Sequence, residues 1–225
     1  LWGGLLPPGA LGGRYAKRLQ GLSLSPSFFL LFLGLTGELD MPDRVFLSTR
    51  HPRRVRTGDT YLEIRHLTVS LLSRQDPSLA PPGTHLLNVW VSVPSSSYPS
   101  FASDPGRRGV EEAMMLAVKQ ELRRLIPRLD DRIVFQERLS PYHLNKLTSN
   151  SRGAAFGFLP SRDQHLFRRP DIRTPLRNLY LAGAWSRYGL GLEGAVTNAM
   201  LVARHILGQR EGSAPAPPED DILTP

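Results

Sequence analysis

Gly189–Gly194 reads GLGLEG, a literal G-x-G-x-x-G. Gly191 and Gly194 would let a flat or anionic ligand come close to the backbone. A helix opening near Gly194 would aim free N–H groups and a partial positive charge at that ligand. The chemistry would be binding of a nucleotide-type cofactor at a helix end. A complete dinucleotide fingerprint needs more. A strand must run straight into the first glycine, and a second parallel strand must follow the helix, with an acidic residue about 20 residues on. Here the strand expected at Leu179–Ala182 ends at Gly183, six residues before Gly189. Residues 209–225 are polar, Pro-rich and acidic and read as a disordered tail, so they cannot supply the second strand. Two readings stay open on spacing: a structural turn, or a strand–loop–helix that completes a cofactor site whose main element lies elsewhere.

Other chemistry is sparse. The absence of cysteine excludes disulfides, thiolate metal sites and a cysteine nucleophile. The six histidines show no metal-ligand spacing, and His143 and His165 read as structural or surface residues. Ser186 lacks a G-x-S-x-G context. No catalytic side chain and no metal site are identified. Net charge is +8, carried almost wholly by arginine, since Lys17, Lys119 and Lys146 are the only lysines. The arginines are scattered and not interleaved with aromatics, which argues against nucleic acid as a partner. The longest apolar run, Phe28–Leu35, falls short of the roughly 18 residues of a membrane span.

Several elements would carry the motif. Ser27–Leu35 reads as a buried strand, Val45–Thr49 as a short one, and Tyr61–Leu72 and His85–Val93 as an antiparallel hairpin. A loop is expected at Ser95–Arg108. Over Gly109–Ile126, apolar residues Val110, Ala113, Met114, Ala117, Val118, Leu122 and Leu125 recur with helical spacing. Glu111 and Glu112 would lie in the first turn, where the dipole favours acids. Arg132–Glu137 reads as a strand and Ser140–Leu176 as loop. The chain closes with the strand Leu179–Ala182, a glycine loop and a helix over Glu193–Leu207.

Residues Asn178–Leu207, NLYLAGAWSRYGLGLEGAVTNAMLVARHIL, resemble the C-terminal signature of FAD-dependent phytoene desaturases and carotenoid oxidoreductases, within the amine-oxidase-like flavoproteins. SPSFFLLFLGL, DPSLAPPGTHLLNVWVSVP and SRGAAFGF are similar to segments upstream of that signature, in the same order. The resemblance implies an α/β fold: an α+β substrate domain plus the C-terminal strand–helix of an FAD-binding Rossmann-like domain. The N-terminal ADP-binding βαβ of the family has no counterpart in this sequence. The implied division is a substrate-domain-like sheet over 1–145 with helix 109–126, a return to the FAD domain over 146–208, and the tail 209–225.

By resemblance, Gly183, Ala184, Gly191, Leu192, Glu193, Gly194 and Ala195 would contact FAD, and Trp185 and Tyr188 would line the flavin or a polyene substrate. The implied activity is flavin-dependent desaturation by hydride transfer from a hydrophobic polyene such as a carotenoid. The implied setting is cytoplasmic, with peripheral membrane contact. Two alternatives stand beside it: a non-catalytic partner subunit that binds no FAD alone, and an amine- or porphyrinogen-type oxidase. An N-terminal half or partner chain with the ADP-binding motif would be required, and an apolar face should remain where it docks.

Overall fold

The computed structural model describes residues 6–57, 60–164 and 168–211. His165, the start of the expected N-terminal loop and positions 212–225 of the expected tail lie outside them. The chain forms two compact units. One is Ser25–Ala155; the other is built from the described parts of Leu1–Leu24 and Phe156–Pro225. Residues up to Leu24 thus cluster with the C-terminal segment and not with the sheet.

The Ser25–Ala155 unit is a five-stranded antiparallel sheet in the order β2-β3-β4-β1-β5. The strands are β1 (Ser27–Thr36), β2 (Arg44–Thr57), β3 (Thr60–Leu71), β4 (Thr84–Val93) and β5 (Ile133–Leu139). Alternation along β1 buries Phe29, Leu31, Leu33 and Leu35 completely. Leu87, Val89, Val91 and Val93 of β4 join them, because antiparallel partners share a face. Each such side chain contributes about 1.5–3 kcal/mol by leaving water. β2 is 14 residues long, far beyond the expected Val45–Thr49. Its second half, HPRRVR, looks polar, yet it pairs with β3 past a register shift between Ser48 and Arg53.

α1 spans Gly13–Gln20, α2 Asp104–Leu122, α3 Pro141–Thr148 and α4 Gly191–Glu211. In α2, Val110, Met114, Val118 and Leu122 pack on the β1/β4 face in one apolar cluster. The helix starts five residues before the expected Gly109. Pro105 sits in its first turn, where a missing N–H costs nothing, so the supposed loop residues are helical. Glu111 therefore lies two turns inside the helix, and Asp104 is the first-turn acid. α3 lies within the stretch read as loop. Ser140 caps it, Pro141 opens it, and His143 Nδ1 accepts the Ser140 N–H at 3.1 Å.

Glu121 ties α2 to the long β2. Its buried carboxylate accepts from Arg53 Nε at 2.7 Å and Arg124 Nη1 at 3.0 Å. Burial raises its pKa, but the hydrogen bonds and charges of the two arginines outweigh that and hold it below the ordinary 4.5. A folded pKa below the unfolded one stabilises the protein above the unfolded value; that contribution is lost as pH falls through the folded value. Stability should therefore start to fall as pH drops towards the ordinary carboxylate value and go on falling until the lower folded value is passed. Glu121→Gln should flatten that slope in urea unfolding across the range; an unchanged slope would remove Glu121 from the account.

Among the described residues, no helix is long and apolar enough to cross a membrane.

Candidate functional site

The glycine-rich segment lies in the second unit, ahead of α4. The expected strand Leu179–Ala182 does not form. Tyr180 makes an isolated antiparallel bridge to Arg173, and Leu181 N–H donates to Ile172 at 2.7 Å. The sequence has strand propensity, but a strand needs a continuous neighbour, and the described residues provide only this short one. Gly183, at φ +77°, then starts a 3-10 turn over Gly183–Trp185. α4 opens at Gly191, two residues ahead of the expected Glu193, and continues to Glu211, into the expected tail. Gly208 does not stop it, since glycine in a helix costs only about 1 kcal/mol.

The glycines divide into two kinds. Gly183 and Gly191 both have positive φ, with open space where a side chain would stand. They are the positions where a ligand could reach the backbone. Gly189 and Gly194 are closure points. A Cβ on Gly189 would lie 1.6 Å from the Gly183 carbonyl oxygen, and one on Gly194 would lie 2.6 Å from that of Tyr188. Gly194 thus faces the loop's own backbone. Gly157 closes the loop from beneath, where a Cβ would come 2.2 Å from the Ala184 oxygen.

Two buried polar side chains hold the loop. Asn198, fully buried two turns into α4, accepts the Gly183 N–H on Oδ1 at 2.8 Å; its Nδ2 has no hydrogen-bond partner among the described residues. Arg169, only 3% exposed, donates from Nη2 to the Ala184 carbonyl at 2.6 Å. Its Nε makes no hydrogen bond, and no carboxylate pairs with it among the described residues. Burial lowers its pKa. A guanidinium remains charged in proteins, so positive charge sits directly under the turn. Asn198→Leu would strand the Gly183 N–H and should cost about 1–3 kcal/mol in urea unfolding. No loss would mean that water replaces the side chain.

The other expected residues are spread along this loop. Trp185 packs edge-on to Phe158 at 5.1 Å within a small apolar cluster that also holds Leu11 and Leu19. Tyr188 and Glu193 are exposed, and Leu192 is 85% exposed. Ala195 is half-buried on α4. Sequence reasoning missed Arg169 and Asn198, because nothing local marks either as buried. Gly157 was visible in SRGAAFGF, without its reason. Among the described residues, no group of three or more His, Asp or Glu could hold a metal.

A turn with open glycines, a buried cation beneath it and a 21-residue helix leading away defines a helix-end site suited to a negatively charged cofactor. Residues 41–207 match the model of the flavin containing amine oxidoreductases, and the chain belongs to that family. It is 27% identical over 200 residues to the phytoene desaturase (lycopene-forming) of Pseudescherichia vulneris, covering 86% of this chain and 40% of that protein. It is 29% identical over 217 residues to the phytoene desaturase (lycopene-forming) of Paracoccus sp. (strain N81106 / MBIC 01143), covering 90% and 41%. A solved oxidoreductase from Methanosarcina mazei matches with a TM-score of 0.52 at 21% identity, over 88% of this chain and 38% of that one; it supports the fold alone. The chain spans about two fifths of the length of the curated relatives it matches. It is a carotenoid-desaturase-like member of a flavin oxidoreductase family, with a mixed helix-and-sheet fold.

Proposed function

We propose that the chain contributes the helix-end part of an FAD site to an oxidoreductase acting on a hydrophobic polyene of the carotenoid class. The observation that carries the cofactor reading is Arg169, a buried cation without a carboxylate partner among the described residues, beneath the open turn at Gly183–Ala184. Such a cation is costly unless an anion compensates it. Gly183, Ala184 and the α4 end from Gly191 to Ala195 would hold the flavin ring by backbone N–H groups and the dipole. Bound FAD would supply the two-electron chemistry, taking hydride from a saturated C–C unit. The protein's own part is to position the ring, exclude water and keep positive charge near it.

The substrate reading is supported by the sheet. Its face opposite the core carries Phe28, Leu30, Phe32, Trp90, Phe135 and Phe46, which the strand register places on one side. Phe46 is 75% exposed and Phe135 53% exposed. Phe28 and Trp90 meet edge to face at 5.3 Å. An aromatic face on which Phe46, Phe135 and Trp90 stay exposed and Phe28, Leu30 and Phe32 are half-buried fits an extended apolar ligand.

The test is gel filtration of the purified chain with FAD, followed by an absorbance scan of the protein peak. Oxidised-flavin bands are expected to travel with the chain and to weaken in Arg169→Gln. Absence of retained flavin would overturn the reading for the chain on its own. The two-fifths coverage favours a second reading, in which further polypeptide must join before flavin is held.

A further inference from the structure

One amide on the outer face of the sheet has no partner among the described residues. Antiparallel neighbours share a face, so the register sets Arg44, Ser70, Asn88 and Phe32 in one row across β2, β3, β4 and β1. Glu137 of β5 ends the row beyond Phe32. Along its own strand Asn88 lies between Leu86 and Trp90 on that face, so an amide interrupts an apolar column. Asn88 is 3% exposed, yet its side chain makes no hydrogen bond among the described residues. Its amide atoms are not fully enclosed, unlike Nδ2 of Asn198. An amide placed so costs stability for as long as no partner reaches it. Ser70, also buried, accepts from Arg44 Nε at 3.4 Å, which leaves its own proton free to donate. Asp43, beside Arg44, faces Arg74 Nε at 3.6 Å instead, and no carboxylate pairs with Arg44 among the described residues.

We propose that this row is a subsite for an oxygen function on the ligand, so that the sheet selects a polyene bearing a hydroxyl or carboxyl group over the bare hydrocarbon. The proposal rests on the substrate reading of the sheet face above and narrows it. A hydrocarbon laid across the row would cover Asn88 and Ser70 and give them nothing to bond. A hydroxyl offers the Asn88 amide both a donor and an acceptor. A carboxylate accepts from the Asn88 amide, the Ser70 hydroxyl and the Arg44 guanidinium together. Phe32 and Trp90, next to Asn88 on the same face, hold the apolar chain on either side of that point. Glu137 stands four strand spacings from Arg44, about 19 Å, and so does not fill the place of the ligand's oxygen. A site built to bond an oxygen rejects the analogue that lacks it far more strongly than an apolar pocket tells one chain length from another.

In the experiment the purified chain is titrated with all-trans-retinol, all-trans-retinoic acid and the matching hydrocarbon without the oxygen, and quenching of tryptophan fluorescence is followed. The two oxygenated probes should bind about tenfold or more tighter than the hydrocarbon, and Asn88→Val should erase the advantage of retinol. Arg44→Gln should weaken retinoic acid and leave retinol unchanged. Trp90→Phe should remove most of the quenching, because Trp90 adjoins Asn88. Urea unfolding supplies an independent readout. Asn88→Val should be neutral or stabilising, since it replaces an amide without an internal hydrogen bond by an apolar, β-branched side chain. A clear loss of stability would make Asn88 a structural residue and overturn the subsite. Equal binding of the three probes, indifferent to Asn88→Val, would overturn the subsite and uphold the aromatic face. No binding of any probe, or quenching that survives Trp90→Phe, would overturn the substrate reading of the sheet and the subsite with it.

Discussion

Gly189→Ala will collapse the turn between Gly183 and Gly191, costing about 3 kcal/mol or more, and under the proposed function it will abolish flavin retention. The reason is backbone against backbone. The added Cβ would stand 1.6 Å from the Gly183 oxygen, 2.3 Å from its carbonyl carbon and 2.9 Å from the Ala184 nitrogen. No rotamer change relieves such contacts, so Gly183 and Ala184 must move. Those are the residues that Asn198 and Arg169 hold. The control is Gly191→Ala, which has open space and a φ of +72°, and so only the left-handed backbone cost of about 1–2 kcal/mol. Urea unfolding and FAD titration of both variants decide the matter. Equal losses at the two positions would show that the loop can rearrange and that Gly189 is not its closure point.

Glu111→Ala will have the other large effect, a loss of about 3 kcal/mol. The Glu111 carboxylate is 4% exposed and lies among Arg138 of β5, Arg107 of its own helix and the His143 ring of α3. Arg138 Nε of β5 stands 3.3 Å from Oε2, while His143 Nδ1 of α3 and Arg107 Nε of α2 stand 3.6 and 3.8 Å from Oε1. Arg107 also lies 4.0 Å over the Tyr142 ring and pairs with Asp104, so it has other support. Arg138 and His143 are about one-third exposed, which moderates the loss. Glu111→Gln keeps an acceptor for Arg138 and should lose less. Glu112→Ala, at an exposed position next door, should stay within about 0.5 kcal/mol. If Glu111→Ala unfolds at the same urea concentration as Glu112→Ala, the cluster does not join α2 to β5 and α3.

These two residues show why parts of the molecule were legible in the sequence and others were not. Glu111 and Glu112 look alike in sequence, as acids near a helix start. Only the earlier start of α2 and the arrival of Arg138 and His143 make one a buried junction and leave the other in water. Gly189 belongs to a visible motif, but the string does not say which of its glycines face a ligand. Local composition was enough where one dominant pattern is at work. The alternating run of β1 and β4 and the apolar stripe of α2 each need only their own residues to choose a conformation.

By itself, then, the sequence determined the strands and helices with strong periodicity, the glycine turn before α4 and the resemblance that the flavoprotein family match bears out. The tertiary structure alone decided the rest. It lengthened β2 because β3 offered a ladder, and it reduced Leu179–Ala182 to a single bridge because no long neighbour lies beside it among the described residues. It placed Arg169 and Asn198 against the glycine turn, from positions 14 residues before and 15 residues after Gly183. It also left the Asn88 amide on the outer sheet face without a partner among the described residues. The physical reason is common to all four. Periodicity records what a segment does with its own backbone and one face. Pairing partners, buried charges and uncovered surfaces depend on which distant residues arrive beside it.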